Sequence, residues 1–190
     1  MKTLYFILTL FLISCSNNVN NDIFSDKDIN FKKLSFGNNI SYNNKHDIQL
    51  IKAKLIPLNN AIKLSEKEKN YIIENTGYAK DLYNIESIFL EENTQTTCLV
   101  GYMKAEKDSL KKLINLNSME HQNNILKDYF YVNGNKNIQY KIKLDDTILF
   151  YVIFESKHSN YLVLNYTFPL DNEYDSLYNI ANSINSVEFY

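Results

Sequence analysis

The stretch ILFYVIF, Ile148 to Phe154, constrains this chain more than any other. All seven side chains are apolar, so a strand built from them exposes a large patch unless both its faces are covered. Its length, aromatic content and β-branched residues suit a strand better than a helix. Such a strand belongs in the middle of a sheet, and the flanking segments read as its neighbours. Upstream, Ile138, Tyr140, Ile142 and Leu144 alternate with Gln139, Lys141 and Lys143, the pattern of a half-buried strand, and Asp145-Asp146 supplies the turn. An Asn-Gly pair, Asn133-Gly134, joins it to a preceding strand in DYFYV. Downstream, NYLVLNYTF is expected to return antiparallel. After the short Pro169–Asn172 connection, Tyr174, Leu177, Tyr178, Ala181 and Ile184 recur at helical spacing. They predict a C-terminal helix that covers one face of this central meander.

The first half alternates in the same way between strand-like and helix-like segments. Lys33–Tyr42 reads as a short hairpin turning at Gly37, and Asp47–Ile56 as a strand ended by Pro57. Ser65 with Glu68 forms a capping box that opens a helix running to about Asn75, with Gly77 as its stop. NIESIFLEE and TTCLVGYMKA predict a second hairpin. From Asp108 a helical stretch places Leu110, Leu113 and Ile114 on one face and continues to about Lys127. Hairpins and meanders interleaved with helices define an α+β class built on an antiparallel β-sheet.

The order of elements is hairpin, helix, hairpin, helix, three-strand meander and terminal helix, and it resembles the PsbP-like α/β/α sandwich. The closing segment, with IANSINSV at Ile180–Val187, is similar to the end of such domains. The resemblance covers roughly Lys33 to Tyr190 by element order and the last thirty residues by motif. It implies a domain without a catalytic motif that serves binding or assembly. A cystatin-like or nuclear-transport-factor-like curled sheet fits the same order of elements.

The N-terminus carries its own pattern. Lys2 precedes an apolar run, Leu4–Ile13, which is too short to span a bilayer at ~20 residues but has the length of a secretory signal core. It ends in LISC, Leu12 to Cys15, which resembles the bacterial lipobox. That resemblance implies cleavage between Ser14 and Cys15 and a diacylglycerol thioether on the Cys15 sulfur. Several acyl chains, at ~0.8 kcal/mol per buried methylene, hold far better than one. The expected organisation is a cleaved signal over 1–14, then a lipidated Cys15 with an Asn-rich flexible tether to residue 30, then a single domain over 31–190.

Composition narrows the function classes. Net charge is −2 and every cationic side chain apart from histidine is Lys, so there is no guanidinium fork for phosphate and no basic footprint for nucleic acid. Gly37, Gly77, Gly101 and Gly134 stand singly, which excludes a phosphate-binding loop or a nucleophile elbow. His46, His121 and His158 are far apart in polar surroundings and match no zinc spacing, so neither a metal nor a cofactor is expected. Cys98 lies mid-strand among apolar residues and reads as a small core hydrophobe. The adjacent pairs Glu91-Glu92 and Asp145-Asp146 point to opposite sides of an extended chain and read as turn residues, so no catalytic set is nominated. The candidate binding surface is aromatic: Tyr129, Tyr131, Tyr151 and Tyr161, on strands where one face must point away from the core.

These readings combine into one expectation and two rivals. The expectation is a non-enzymatic binding or assembly module in a bacterial cell envelope. It would be held to the bilayer through acylated Cys15, face the extracytoplasmic side at the outer membrane or periplasm, and meet another envelope protein. The rivals are an extracytoplasmic hydrolase with an unrecognised site and a small-ligand carrier whose curled sheet encloses a pocket.

Overall fold

A central eight-stranded sheet organises the chain. The structure is a computed structural model that describes residues 24, 26–34, 45–75, 83–105, 109, 112–113, 125–155 and 159–190. The strands are β1 (Lys32–Leu34), β2 (His46–Ile48), β3 (Ala53–Leu55), β4 (Ile62–Lys63), β5 (Asn84–Glu91), β6 (Thr96–Lys104), β7 (Ile125–Val132), β8 (Asn135–Lys143), β9 (Thr147–Phe154), β10 (Asn160–Pro169) and β11 (Glu188–Phe189). Helix α1 spans Glu66–Asn75 and α2 spans Glu173–Asn185. The large sheet has the order β1-β7-β8-β9-β10-β6-β5-β4, and a small sheet has the order β11-β3-β2. All pairings in the large sheet are antiparallel except that of β1, which joins β7 in parallel, so the sheet is mixed.

ILFYVIF lies within β9, between β8 and β10 and near the middle of the sheet. Its two faces feed two separate cores. Ile148, Phe150, Val152 and Phe154 join a core shared with α2 and the small sheet, through Ile180, Ile184, Ala53 and Leu55. Tyr151 and Ile153 join a second core on the opposite face with Met103, Ile138, Tyr140, Tyr161 and Val163. A strand that is apolar throughout is therefore covered on both sides, and the C-terminal helix covers one of them.

The buried stripe of α2 differs from the one the apolar spacing predicts. Tyr174 and Tyr178 are 85% and 66% exposed, whereas Ser176, Ile180, Ser183 and Ile184 face the sheet and Leu177 lies half-buried at the edge of that core. The serines go inside because each finds a partner there. Thr96 Oγ1 donates to Ser176 Oγ at 2.9 Å, the Tyr166 hydroxyl lies 2.7 Å from Ser183 Oγ, and the Ile56 N–H donates to Ser186 Oγ at 2.7 Å. A buried hydroxyl with a partner avoids the desolvation cost of an orphaned one, so hydrophobicity alone misplaces this face.

Two further expectations change. Asp47–Ile56 is not one strand. The chain passes through a 3₁₀ turn at Gln49–Ile51, Lys52 takes a left-handed φ of 50° and donates its N–H to the Gln49 carbonyl, and β3 pairs back onto β2. Ile48, Ile51, Ala53 and Leu55 are thereby buried while Leu50 points out. One residue of the segment read as a tether is described in a packed position. Phe24 is fully buried, its ring centroid 5.5 Å from that of Tyr161 and 6.4 Å from that of Phe31, and its carbonyl accepts from Lys136 Nζ at 2.5 Å.

The capping box is as the sequence indicates. The Ser65 N–H donates to Glu68 Oε2 at 2.8 Å and the Glu68 N–H donates to Ser65 Oγ at 3.4 Å. The hairpin turn at Gly37, the helix stop at Gly77 and most of the helical stretch from Asp108 lie outside the described residues.

Candidate functional site

The four nominated tyrosines do not form one surface. Tyr151 and Tyr161 are buried in the second core. Their strands are covered on that face, so the side chains on it pack inward. Tyr129 is half-buried, edge-on to Phe31 at 5.6 Å with Lys127 Nζ 4.9 Å from its ring, and Tyr131 alone of the four is exposed. Ser14, Cys15, His121 and His158 lie outside the described residues.

The reactive side chains are occupied in structural contacts. Cys98 is buried, and loss of solvation drives its thiol well above the ordinary range despite a hydrogen bond with Tyr166, so it carries no nucleophilic thiolate at neutral pH. Glu91 is buried under its own turn, accepting from the Asn93 N–H at 3.0 Å and the Thr94 N–H at 2.9 Å. Among the described residues, no three His, Cys, Asp or Glu side chains converge as metal ligands.

One polar cluster was not legible in the sequence. The register of β5 against β6 shifts between Ile85 and Ser87, which places Glu86 on a bulge and re-aims its carboxylate. Glu86 Oε2 accepts from His46 Nε2 at 2.6 Å and from Ser87 Oγ at 2.5 Å, and the Glu86 carbonyl accepts from Lys69 Nζ at 3.1 Å. The His46 ring stands edge-on to Phe89 at 5.1 Å. Burial works to raise the Glu86 carboxyl, but the hydrogen bonds from His46 and Ser87 and the charges of His46 and Lys63 outweigh it and hold the group below its ordinary value. Although Ser, His and Glu meet here, the carboxylate sits between the other two. A nucleophilic triad needs the imidazole in that central place to take the serine proton. The cluster instead fastens the small sheet and α1 to the edge of the large one.

What remains outward is the far side of α2. Asp171, Tyr174, Asp175 and Tyr178 fall at helical spacing along one exposed stripe. It adjoins a rim made from three chain connections stitched together. The Leu170 N–H donates to the Asp146 carbonyl at 2.8 Å, joining the start of the helix to the β8–β9 turn. Asn172 Nδ2 donates to the Thr94 carbonyl at 2.9 Å, joining it to the β5–β6 turn. Asp145 and Asp146 are exposed on this rim. Glu173 is taken up by Lys141, but Asp145, Asp146, Asp171 and Asp175 form no ion pair among the described residues. The helical spacing of Tyr174 and Tyr178 was visible in the sequence, where it pointed to the core.

An α+β sandwich of PsbP-like type is thereby defined, with two exposed tyrosines on α2 and no assembled catalytic set among the described residues. Among solved structures the chain is similar to the solution structure of cyanobacterial PsbP (CyanoP) from Synechocystis sp. PCC 6803, with a TM-score of 0.51 and 9% identity, covering 82% of this chain and 98% of that one. That likeness is one of fold. No protein-family model matches the chain, and no curated protein matches it.

Proposed function

We propose that this chain is a lipid-anchored, extracytoplasmic bacterial protein that works as a non-enzymatic binding or assembly module. The PsbP-like fold supports the module, since the resemblance implies binding and assembly rather than catalysis. The observation that carries the reading is the disposition of side chains. Cys98, His46, Glu86 and Glu91 are held in internal contacts, while two tyrosines stand in water on α2. The LISC motif supports the anchor, with Cys15 as the acylated residue and the bilayer as one partner. No helix among the described residues is long and apolar enough to cross a membrane.

The test is expression in a bacterial host followed by detergent-phase partitioning and mass spectrometry of the N-terminal peptide. The wild-type chain is expected in the detergent phase with an acyl increment on Cys15, and Cys15→Ala is expected to accumulate as an uncleaved precursor. A mature wild-type protein in the aqueous phase overturns the anchor. Turnover of an ester, peptide or glycoside substrate by the purified chain overturns the non-enzymatic reading.

A further inference from the structure

We propose that the outer stripe of α2 docks a lysine- or arginine-bearing segment of a partner protein. This inference rests on the binding-module reading above and names the partner's chemistry; it does not depend on the lipid anchor.

Tyr174 and Tyr178 lie one helical turn apart, 85% and 66% exposed, on a helix whose opposite side is pinned to the sheet by Ser176, Ile180 and Ser183. Two large rings left in water on a rigid element are a recognition surface at small entropic cost, since the backbone beneath them is already ordered. The surroundings decide the occupant. Asp175 on the helix and Asp171 in the 3₁₀ turn just before it flank the rings, and Asp145 and Asp146 stand on the turn tied to the helix start. Lys141 is committed to Glu173, which leaves Lys143 as the exposed cation of that turn. An anionic patch carrying aromatic faces repels an acidic or anionic lipid surface and attracts cations, which gain both the carboxylate field and the ring quadrupole. An apolar partner leaves the carboxylates uncompensated on desolvation.

The experiment uses the full-length mature chain in detergent micelles and a fluorescent peptide of alternating Lys and Ala. An alternating Glu and Ala peptide of the same length and vesicles of phosphatidylethanolamine with phosphatidylglycerol serve as comparison probes. The Lys peptide is expected to bind, more weakly as salt rises, and the other two are not. The double variant Tyr174→Ser/Tyr178→Ser is expected to weaken binding about fivefold. Asp171→Asn/Asp175→Asn is expected to weaken it and flatten the salt dependence. Glu74→Gln/Asp28→Asn, which removes the same charge from other exposed positions, is expected to change little. Equal loss in that control pair, no binding of the Lys peptide, or vesicle binding abolished by the tyrosine variant overturns the proposal. A photo-cross-linking residue at Tyr178 and another at exposed Leu126 then separate the two readings in cells. Cross-links from Leu126 alone overturn this face but keep the binding module, and cross-links from neither overturn both.

Discussion

The Tyr166 hydroxyl on β10 lies 2.7 Å from Ser183 Oγ on α2, and both side chains are buried. The pair ties the C-terminal helix to the middle of the sheet, alongside the Thr96–Ser176 hydrogen bond and the apolar contacts of Ile180 and Ile184. Tyr166→Phe and Ser183→Ala should each cost about 1–3 kcal/mol in denaturant unfolding, because each removes the buried hydrogen bond between the two hydroxyls. The double variant should cost less than the sum of the two. Strict additivity would show that the pair does not act as a unit.

Ile180 is the apolar centre of the same interface. Ile180→Ala should cost about 2–5 kcal/mol through the cavity it leaves. Tyr178→Ala, on the outer face of the same helix, should stay within about 0.5 kcal/mol. The contrast, read from urea midpoints, checks which stripe of α2 is buried. Deleting the chain from Asn172 onward should abolish cooperative unfolding.

The Glu86 cluster gives the fold an acid limb. A carboxyl held below its ordinary value of 4.5 by folding contributes stability that is fully present above that value, and the contribution disappears as pH falls through the lowered one. Thermal unfolding of the wild type should therefore fall more steeply between about pH 5 and pH 3 than that of Glu86→Gln. Parallel curves would show that the His46 and Ser87 contacts carry no net stabilisation. Glu86 is partly solvated, so the difference should narrow at high salt.

Gly101 sits where β6 passes close to the start of β5. A Cβ there would lie 2.3 Å from the Asn84 carbonyl oxygen, a backbone atom that cannot swing aside. Gly101→Ala should destabilise the domain by about 1–3 kcal/mol and broaden the amide resonances of β5 and β6 before those of β9.

How much of this was legible depends on which forces the pattern encodes. The hydrophobic period placed β8, β9, β10 and α2, because burial of Ile138, Ile142 and the Ile148–Phe154 run is what holds those elements. It failed on the face of α2. A serine's hydroxyl partner lies on another element, Thr96 or Tyr166, and sequence spacing carries no trace of it. The candidate site was missed for the same reason, since the tyrosines that hydrophobicity assigns to the core were displaced outward by satisfied serines. Glu86 was silent because a β-bulge in a regular-looking strand leaves no signature in the order of residue types. Likewise Phe24 stands in a mostly polar run, and its docking against Phe31 and Tyr161 depends on rings that are distant in sequence or on another element.

With the anchor proposed at Cys15, the burial of Phe24 bounds how far the attachment point can lie from the membrane. Counted from Cys15, Phe24 is 24 − 15 = 9 residues along, a span of ~30 Å at full stretch, where a free run to Phe31 would reach ~55 Å. With Cys15 in the bilayer as proposed, the Phe24 corner of the domain stays within ~30 Å of the membrane. Phe24 packs on Tyr161 at the start of β10, whereas Asp171 and Tyr174 follow that strand's other end, so the tethered corner and the acidic rim lie a strand's length apart. A short leash fastened at one end trades roaming range for local concentration, which falls off steeply as a linker lengthens beyond the distance it must span. The rim reaches about a strand's length beyond that ~30 Å, and a protein partner within this range meets it at high effective concentration.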